Sequence, residues 1–193
     1  MILDGILPFA RLLIEKTVSH SNYFVDATAG NGHDTLFLAK LAGEDGHVFA
    51  FDVQEQAVQH TADRIGQAGF SSRVSLFHAG HEQAQNRIPE HYHGQLNAAI
   101  FNLGYLPKSD KSIVTKPSTT IEAIRQLFHM LKPGGLIVLV IYHGHEGGAE
   151  ERNAVVQYAA QLDQQQAHVM QYSFINQVNT PPFIIAIEKR PEA

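Results

Sequence analysis

A doubly wound, Rossmann-like α/β sandwich is the fold class this chain predicts. Its sheet should be mostly parallel and seven-stranded, with a C-terminal antiparallel hairpin. Three observations lead there. Short apolar runs alternate with longer amphipathic runs five times, which builds a parallel sheet wrapped by helices. Right-handed crossovers then place those helices on both faces. Two final apolar runs follow with no helix between them, which makes the last two strands an antiparallel pair.

The strands are expected at residues 22–27 (NYFVDA), 47–53 (HVFAFDV), 73–78 (RVSLFH), 96–103 (LNAAIFNL), 136–142, 169–175 and 183–188. Helices are expected at 34–41, 56–66, 82–88, 120–131 and 150–162. The 120–131 helix carries an apolar stripe at Ile121, Ile124, Leu127, Phe128 and Leu131. Lys132 followed by Pro133-Gly134-Gly135 stops it. Residues 136–142 are a solid apolar run, the pattern of a strand buried on both faces. Ahead of the first strand, residues 8–18 (PFARLLIEKTV) predict another helix. Pro8 suits its first turn. Phe9, Leu12 and Leu13 are placed to pack on the sheet or to cover a ligand.

Length and composition bound the function. The 193 residues fit one domain spanning 1–193, with residues 1–20 as an N-terminal helical cover. Hydrophobic residues make up 44% and charged residues 17%, the balance of a folded core. Lys+Arg 14 against Asp+Glu 19 gives a net charge of -5, which excludes nucleic-acid binding by bulk charge but not by a local patch. Cys 0 excludes disulfides, cysteine-ligated metal and a cysteine nucleophile. The N-terminus lacks a basic n-region and a cleavage site, and no run reaches the roughly 20 apolar residues of a membrane helix. A cytoplasmic protein is expected.

In open α/β sheets, ligands bind beyond the carboxyl ends of the strands, where strand order reverses. The first such loop reads Asp26-Ala-Thr-Ala-Gly30-Asn31-Gly32-His-Asp34. Gly30 and Gly32 permit a sharp turn and close approach. A dinucleotide fingerprint wants a third glycine at position 35, where Thr35 stands, so a pyrophosphate is disfavoured. Asp34 would otherwise merely cap the helix. With Asp26 it makes an acidic pair around the turn, which suits a cationic group such as the amine and sulfonium of S-adenosylmethionine. Asp52 ends the second strand twenty residues past Gly32, the spacing of an acid that accepts both ribose hydroxyls. Gln54 adjoins it. After the third strand, Gly80 permits close approach and His81 is placed to stack on, or hydrogen-bond to, an adenine.

The fourth strand runs into Asn102-Leu-Gly-Tyr105-Leu-Pro, a layout that echoes the Asn/Asp-Pro-Pro-Tyr signature of methyltransferases acting on planar amino groups. An amide oxygen from Asn102 and the Leu103 carbonyl are expected to accept N–H bonds and aim a nitrogen lone pair. Tyr105 is expected to stack on a base. Lys108, Lys111 and Lys116 follow within nine residues, as a phosphate-binding patch or as a solvated loop. His143, His145 and Glu146 raise a metal reading, as does His91-x-His93. Neither set has a third and fourth ligand placed, so the site is read without metal and His143 as a proton acceptor.

The motifs DATAGNGHDTLFLA, AFDVQ, NLGYLPKSDKSI, YHGHEGG and FINQVNTPPF together resemble one family. It comprises small bacterial proteins formerly labelled rRNA methylases and now understood as tRNA 5-(aminomethyl)-2-thiouridine methyltransferases of the class I S-adenosylmethionine-dependent superfamily. The resemblance runs from about Leu7 to Lys189. It implies methylation of the aminomethyl nitrogen on a wobble uridine, with S-adenosylmethionine as cofactor and the tRNA anticodon loop as partner. It matches Asn31, Asp34, Asp52, Gln54 and His81 to cofactor positions, and Asn102, Tyr105 and His143 to the loops facing the methyl. Lys108-Ser109 and Gly80 depart from the glycine pair and the serine expected there. Alternatives from other classes are an amine in rRNA or a small molecule as acceptor, a nicotinamide oxidoreductase, and a non-catalytic binding module. A homodimer is expected if the 8–18 helix or the final hairpin supplies an apolar surface.

Overall fold

The computed structural model describes residues 2–104, 115–144 and 147–191. Tyr105, Lys108, Lys111, His145 and Glu146 lie outside the described residues. The elements run in the order α1 (Ile6–Glu15), β1 (Tyr23–Asp26), α2 (His33–Ala42), β2 (His47–Asp52), α3 (Glu55–Gln67), β3 (Val74–His78), α4 (Ala84–Arg87), β4 (Leu96–Leu103), α5 (Pro117–Met130), β5 (Leu131–Ile141), α6 (Gly148–Ala160), β6 (Ala167–Tyr172) and β7 (Phe183–Lys189). The seven strands form one sheet of order β3-β2-β1-β4-β5-β7-β6. The pairs from β3 to β5 are parallel, and β7 pairs antiparallel with both β5 and β6. The predicted fold class therefore stands.

The chain builds outward from β1 to β3, then restarts at β4 on β1's other edge. This reversal sets Asp26 and Asn102 near one another at a topological switch point. Period-two alternation divides the core. Phe49, Phe51, Phe101, Leu139 and Ile185 face α5 and α6. Phe24, Val48, Ile100, Val138 and Ile184 face the side covered by α1, α2 and α3. Ala10 and Ile14 of α1 are fully buried there, with Phe9 and Leu13 packed beside them. Leu12 points away and is 38% exposed, so it joins neither the core nor a ligand cover.

Two strand boundaries differ from expectation for identifiable reasons. β5 starts at Leu131 rather than 136, because Leu131 pairs with Leu96 before a register shift at Ala98 and Leu136. The intervening Lys-Pro-Gly-Gly is a bulge rather than a loop. A Cβ on Gly135 would lie 2.8 Å from the Lys132 carbonyl oxygen and 2.9 Å from that of Leu96, so glycine is required. β6 ends at Tyr172 rather than 175. Its partner β7 begins at Phe183, directly after Pro181-Pro182, and Tyr172 already pairs with Ile184. Among the described residues no helix is long and apolar enough to cross a membrane.

Candidate active site

A cavity of about 990 Å³ opens at the carboxyl ends of β1, β2, β4 and β5. Its walls include Leu7 and Arg11 of α1, the 27–31 loop, Asp34, Asp52, Gln54, Gly80 and His81. The opposite side carries Asn102, Thr115, Lys116, Tyr142 and His143. The structure thus brings most of the sequence-predicted residues to one place.

The glycine loop is held from behind. Asp52 accepts the Gly30 N–H on Oδ2 and the Gln54 N–H on Oδ1, each at 2.9 Å. Thr61 Oγ1 donates to the Gly30 carbonyl at 3.1 Å, and Arg64 Nε donates to the Asn31 carbonyl at 2.6 Å. Gly32 has φ +76°, and a Cβ there would sit 2.9 Å from Thr61 Cα. Its close approach on that side is to α3, and Gly32 is not among the residues that line the cavity. Gly80 lines the cavity, but with φ -70° it needs no left-handed backbone. The Glu82 carboxylate fills the space a Cβ would take there.

Asp26 also departs from expectation. It is fully buried, accepts the Thr35 hydroxyl at 2.6 Å and the Thr28 N–H at 3.2 Å, and does not line the cavity. Burial first, and then the Asp34 charge, push its carboxyl up to about 7. It braces the loop. Asp34 alone of the acidic pair reaches the cavity. Its Oδ1 accepts Arg11 Nη2 at 2.8 Å and Nε at 3.2 Å, and its Oδ2 accepts Asn102 Nδ2 at 2.9 Å. A carboxylate can only accept, so the Asn102 group facing it must be the amide NH2. Asn102 Oδ1 is left as the acceptor.

The Leu103 carbonyl is less available than expected. It accepts the Tyr142 N–H at 3.0 Å, which leaves one lone pair. His81 is buried, with its ring edge-on to Phe101 at 5.4 Å, so it forms part of the wall rather than a free stacking surface. Its Nδ1–H donates to the Ala27 carbonyl at 3.0 Å, and burial pushes its pKa down. The neutral tautomer leaves Nε2 as a buried acceptor with no partner among the described residues. His143 packs edge-on against Phe183 at 5.6 Å. It lines both the main cavity and an open groove of about 520 Å³ that includes Arg152, Gln157, Gln171 and Phe174.

Sequence reasoning missed five residues here. Arg11 is the sole charged side chain in the apolar stretch 6–14, and that was its signal. Tyr142 was read only as a strand end. It lines the cavity, and burial followed by the Asp34 charge raises its pKa. Thr115 donates its hydroxyl to Glu151, a carboxylate only 2% exposed, and also accepts the Gly104 N–H at 3.1 Å. Thr120 donates to the same carboxylate at 2.7 Å. No local pattern announced Glu151.

Known proteins resemble this chain in sequence and fold. A family model described as "Putative rRNA methylase" matches residues 48–188. An Arabidopsis thaliana protein named "tRNA (mnm(5)s(2)U34)-methyltransferase, chloroplastic" is 34% identical over 93% of this chain and 68% of its own length. A solved "putative rRNA-methylase" from Clostridium thermocellum superposes with TM-score 0.93 at 39% identity, covering 98% of this chain and all (100%) of that one. A solved "putative methyltransferase" from Streptococcus mutans, in complex with SAH, superposes with TM-score 0.87 at 37% identity, covering 97% and 99%. Fold, cavity and likenesses together define an S-adenosylmethionine-dependent methyltransferase. More closely, the chain belongs to the family that this model describes as "Putative rRNA methylase". The cavity suits the cofactor: each Asp52 oxygen already accepts one N–H and keeps a lone pair for one hydroxyl of a vicinal diol.

Proposed function

We propose that this protein methylates the aminomethyl nitrogen of 5-aminomethyl-2-thiouridine at the tRNA wobble position, giving 5-methylaminomethyl-2-thiouridine. The observation that carries the reading is the Asn102–Asp34 bond. It commits the amide nitrogen and leaves Oδ1 in the cavity wall, oriented to accept an N–H from an amine. The Arabidopsis relative's name supports the uridine acceptor. The open groove beyond His143 supports an acceptor carried on a polymer, with room for its flanking parts.

S-adenosylmethionine supplies a methyl group on a positively charged sulfur. The amine lone pair forms the new C–N bond as the C–S bond breaks, S-adenosylhomocysteine departs, and one proton leaves the nitrogen. Asp52 and Gln54 hold the ribose, Asn31 and Gly30 border the loop side, and His81 Nε2 offers an acceptor to the base. Asn102 Oδ1 and the remaining Leu103 lone pair aim the amine. A primary alkylamine is mostly protonated at neutral pH, so the site must take its neutral form or receive its proton. His143 is the residue assigned to receive it. Tyr105, Lys108, Lys111 and Lys116 are assigned to the uracil and the phosphates.

The test uses labelled S-adenosylmethionine and tRNA from cells lacking the enzyme, with the RNA then digested to nucleosides and weighed. Label in 5-methylaminomethyl-2-thiouridine is the expected result. Label in an rRNA nucleoside or a small amine instead would move the acceptor and keep the chemistry. No label, with cofactor binding intact, would overturn the proposal.

A further inference from the structure

We propose that Thr115 and Glu151 are positioning residues for the methyl transfer. Together they set the direction of the Leu103 carbonyl, through the peptide unit that it shares with Gly104. The catalytic half of this proposal rests on the amine-acceptor reading above, and the structural half does not.

The peptide between Leu103 and Gly104 is held at both ends. Its carbonyl accepts the Tyr142 N–H at 3.0 Å, and its N–H donates to Thr115 Oγ1 at 3.1 Å. In a trans peptide these two groups are coplanar and point opposite ways, so fixing the N–H fixes where the carbonyl aims. Local stereochemistry does not supply that restraint. Gly104 has φ +147°, a conformation open chiefly to glycine, and it has no side chain to anchor it. The carbonyl bond alone would leave a pivot.

Thr115 is itself oriented. Its hydroxyl donates to Glu151 Oε2, and its backbone N–H donates to the Gly104 carbonyl at 3.2 Å. A hydroxyl has one proton and two lone pairs, so donation to Glu151 turns a lone pair toward Gly104. Donation to a carboxylate also polarises that oxygen and makes it a stronger acceptor.

Glu151 is only 2% exposed, and among the described residues no cationic side chain pairs with it. Its partners are two neutral hydroxyls, Thr115 ahead of α5 and Thr120 inside it, the second at 2.7 Å. A buried carboxylate is costly to keep without a counter-charge. The amides in the first turn of α6, where Glu151 lies, offset part of that cost. What the carboxylate supplies is an acceptor for both threonines at once, which an apolar residue of the same size would not.

Two readouts are taken on each variant. One is amide hydrogen exchange at Gly104, by NMR on nitrogen-labelled protein. The other is single-turnover methyl transfer to tRNA at saturating S-adenosylmethionine. Thr115→Val keeps the backbone bond to Gly104 and removes only the hydroxyl. It should speed Gly104 exchange and slow transfer by about tenfold or more each, with S-adenosylmethionine affinity unchanged. Thr115→Ser should bring both back to within about threefold of wild type. Thr120→Val strips Glu151 of its other partner without touching Gly104, so its effects should be at least about threefold smaller than those of Thr115→Val. Glu151→Gln accepts from only one hydroxyl, and it should move both readouts in the Thr115→Val direction by at least about threefold.

Wild-type exchange at Gly104 in Thr115→Val overturns the pinning, and that arm needs no methyl acceptor. Faster exchange with an unchanged transfer rate overturns the positioning role. Equal effects in Thr115→Val and Thr120→Val would reduce the network to packing, and wild-type values in Glu151→Gln would remove Glu151 from it. A wild-type protein that transfers no methyl to tRNA defeats the acceptor reading and the catalytic half with it, while exchange still decides the pinning.

Discussion

The two halves of the cavity are built differently. On the cofactor side, the groups around the glycine loop are committed to the backbone. Asp52 holds two N–H groups, His81 holds the Ala27 carbonyl, and Thr61 and Arg64 hold the carbonyls of Gly30 and Asn31. On the acceptor side, Asn102 is oriented by one side-chain bond, and His143 rests on a ring contact before an open groove. On the proposed assignment, a ligand that never changes meets a preorganised wall, and a larger one meets side chains with fewer constraints.

The sharpest way to break this contrast is Asn102→Ala. Loss of the aiming oxygen should lower kcat by about 100-fold or more, while S-adenosylmethionine affinity changes by about threefold at most. Single-turnover rates and calorimetric titration measure the two separately. Comparable losses in both would show that Asn102 belongs to the cofactor wall.

The rigidity of the cofactor side is tested by a pair of glycines. Gly32 and Gly134 have nearly the same φ, +76° and +75°, but a Cβ meets Thr61 Cα at 2.9 Å in the first and open space in the second. Gly32→Ala should cost about 3 kcal/mol and Gly134→Ala about 1 kcal/mol, read from denaturant unfolding. Equal costs would mean that α3 yields to the loop.

Asp26 gives the cofactor side a pH signature. Its folded pKa, raised to about 7, stands above the ordinary 3.8 of an aspartate. Between those values the folded state binds more protons than the unfolded one, so this group's contribution to stability falls as pH rises. It is most favourable below about 4 and fully lost above about 7. Measured against Asp26→Asn, the wild-type protein should lose melting temperature steadily from pH 5 to pH 8. A constant difference would place the ionised carboxylate in the fold at both pH values.

The smallest effects belong to the groove. Arg152→Ala and Phe174→Ala should each raise the KM for tRNA by about three- to tenfold, with S-adenosylmethionine affinity unchanged. Steady-state kinetics with the RNA varied is the measurement. An unchanged KM would remove the groove from the acceptor path.

Much of this was legible because it is local. A strand, a glycine turn and a helix follow in order along the chain, and the Gly32-to-Asp52 spacing spans one β-α-β unit, so Asp52 stands at the cavity, where the spacing puts it. Asp26 and Asp52 look alike in sequence, each ending a strand. They differ because Thr28 and Thr35 close over Asp26, while Asp52 stays at the cavity. That distinction exists only after the sheet is assembled. Arg11 and Glu151 escaped for the same reason. Their partners lie 23 residues away in Asp34, and 36 and 31 residues away in Thr115 and Thr120.

The bulge at the start of β5 has a consequence at the other end of that strand. Most strands announce their facing by alternating oily and watery residues, but 136–141 are buried on both sides. A slip by one residue there would exchange one hydrophobic surface for another, and burial alone would penalise it weakly. The Pro-Gly-Gly bulge sets the phase instead, because Gly135 lies against the Leu96 and Lys132 carbonyls, where a Cβ would not fit. The directions of Tyr142 and His143 are thus decided seven or eight residues upstream, roughly 25 Å away, by a kink that touches no ligand.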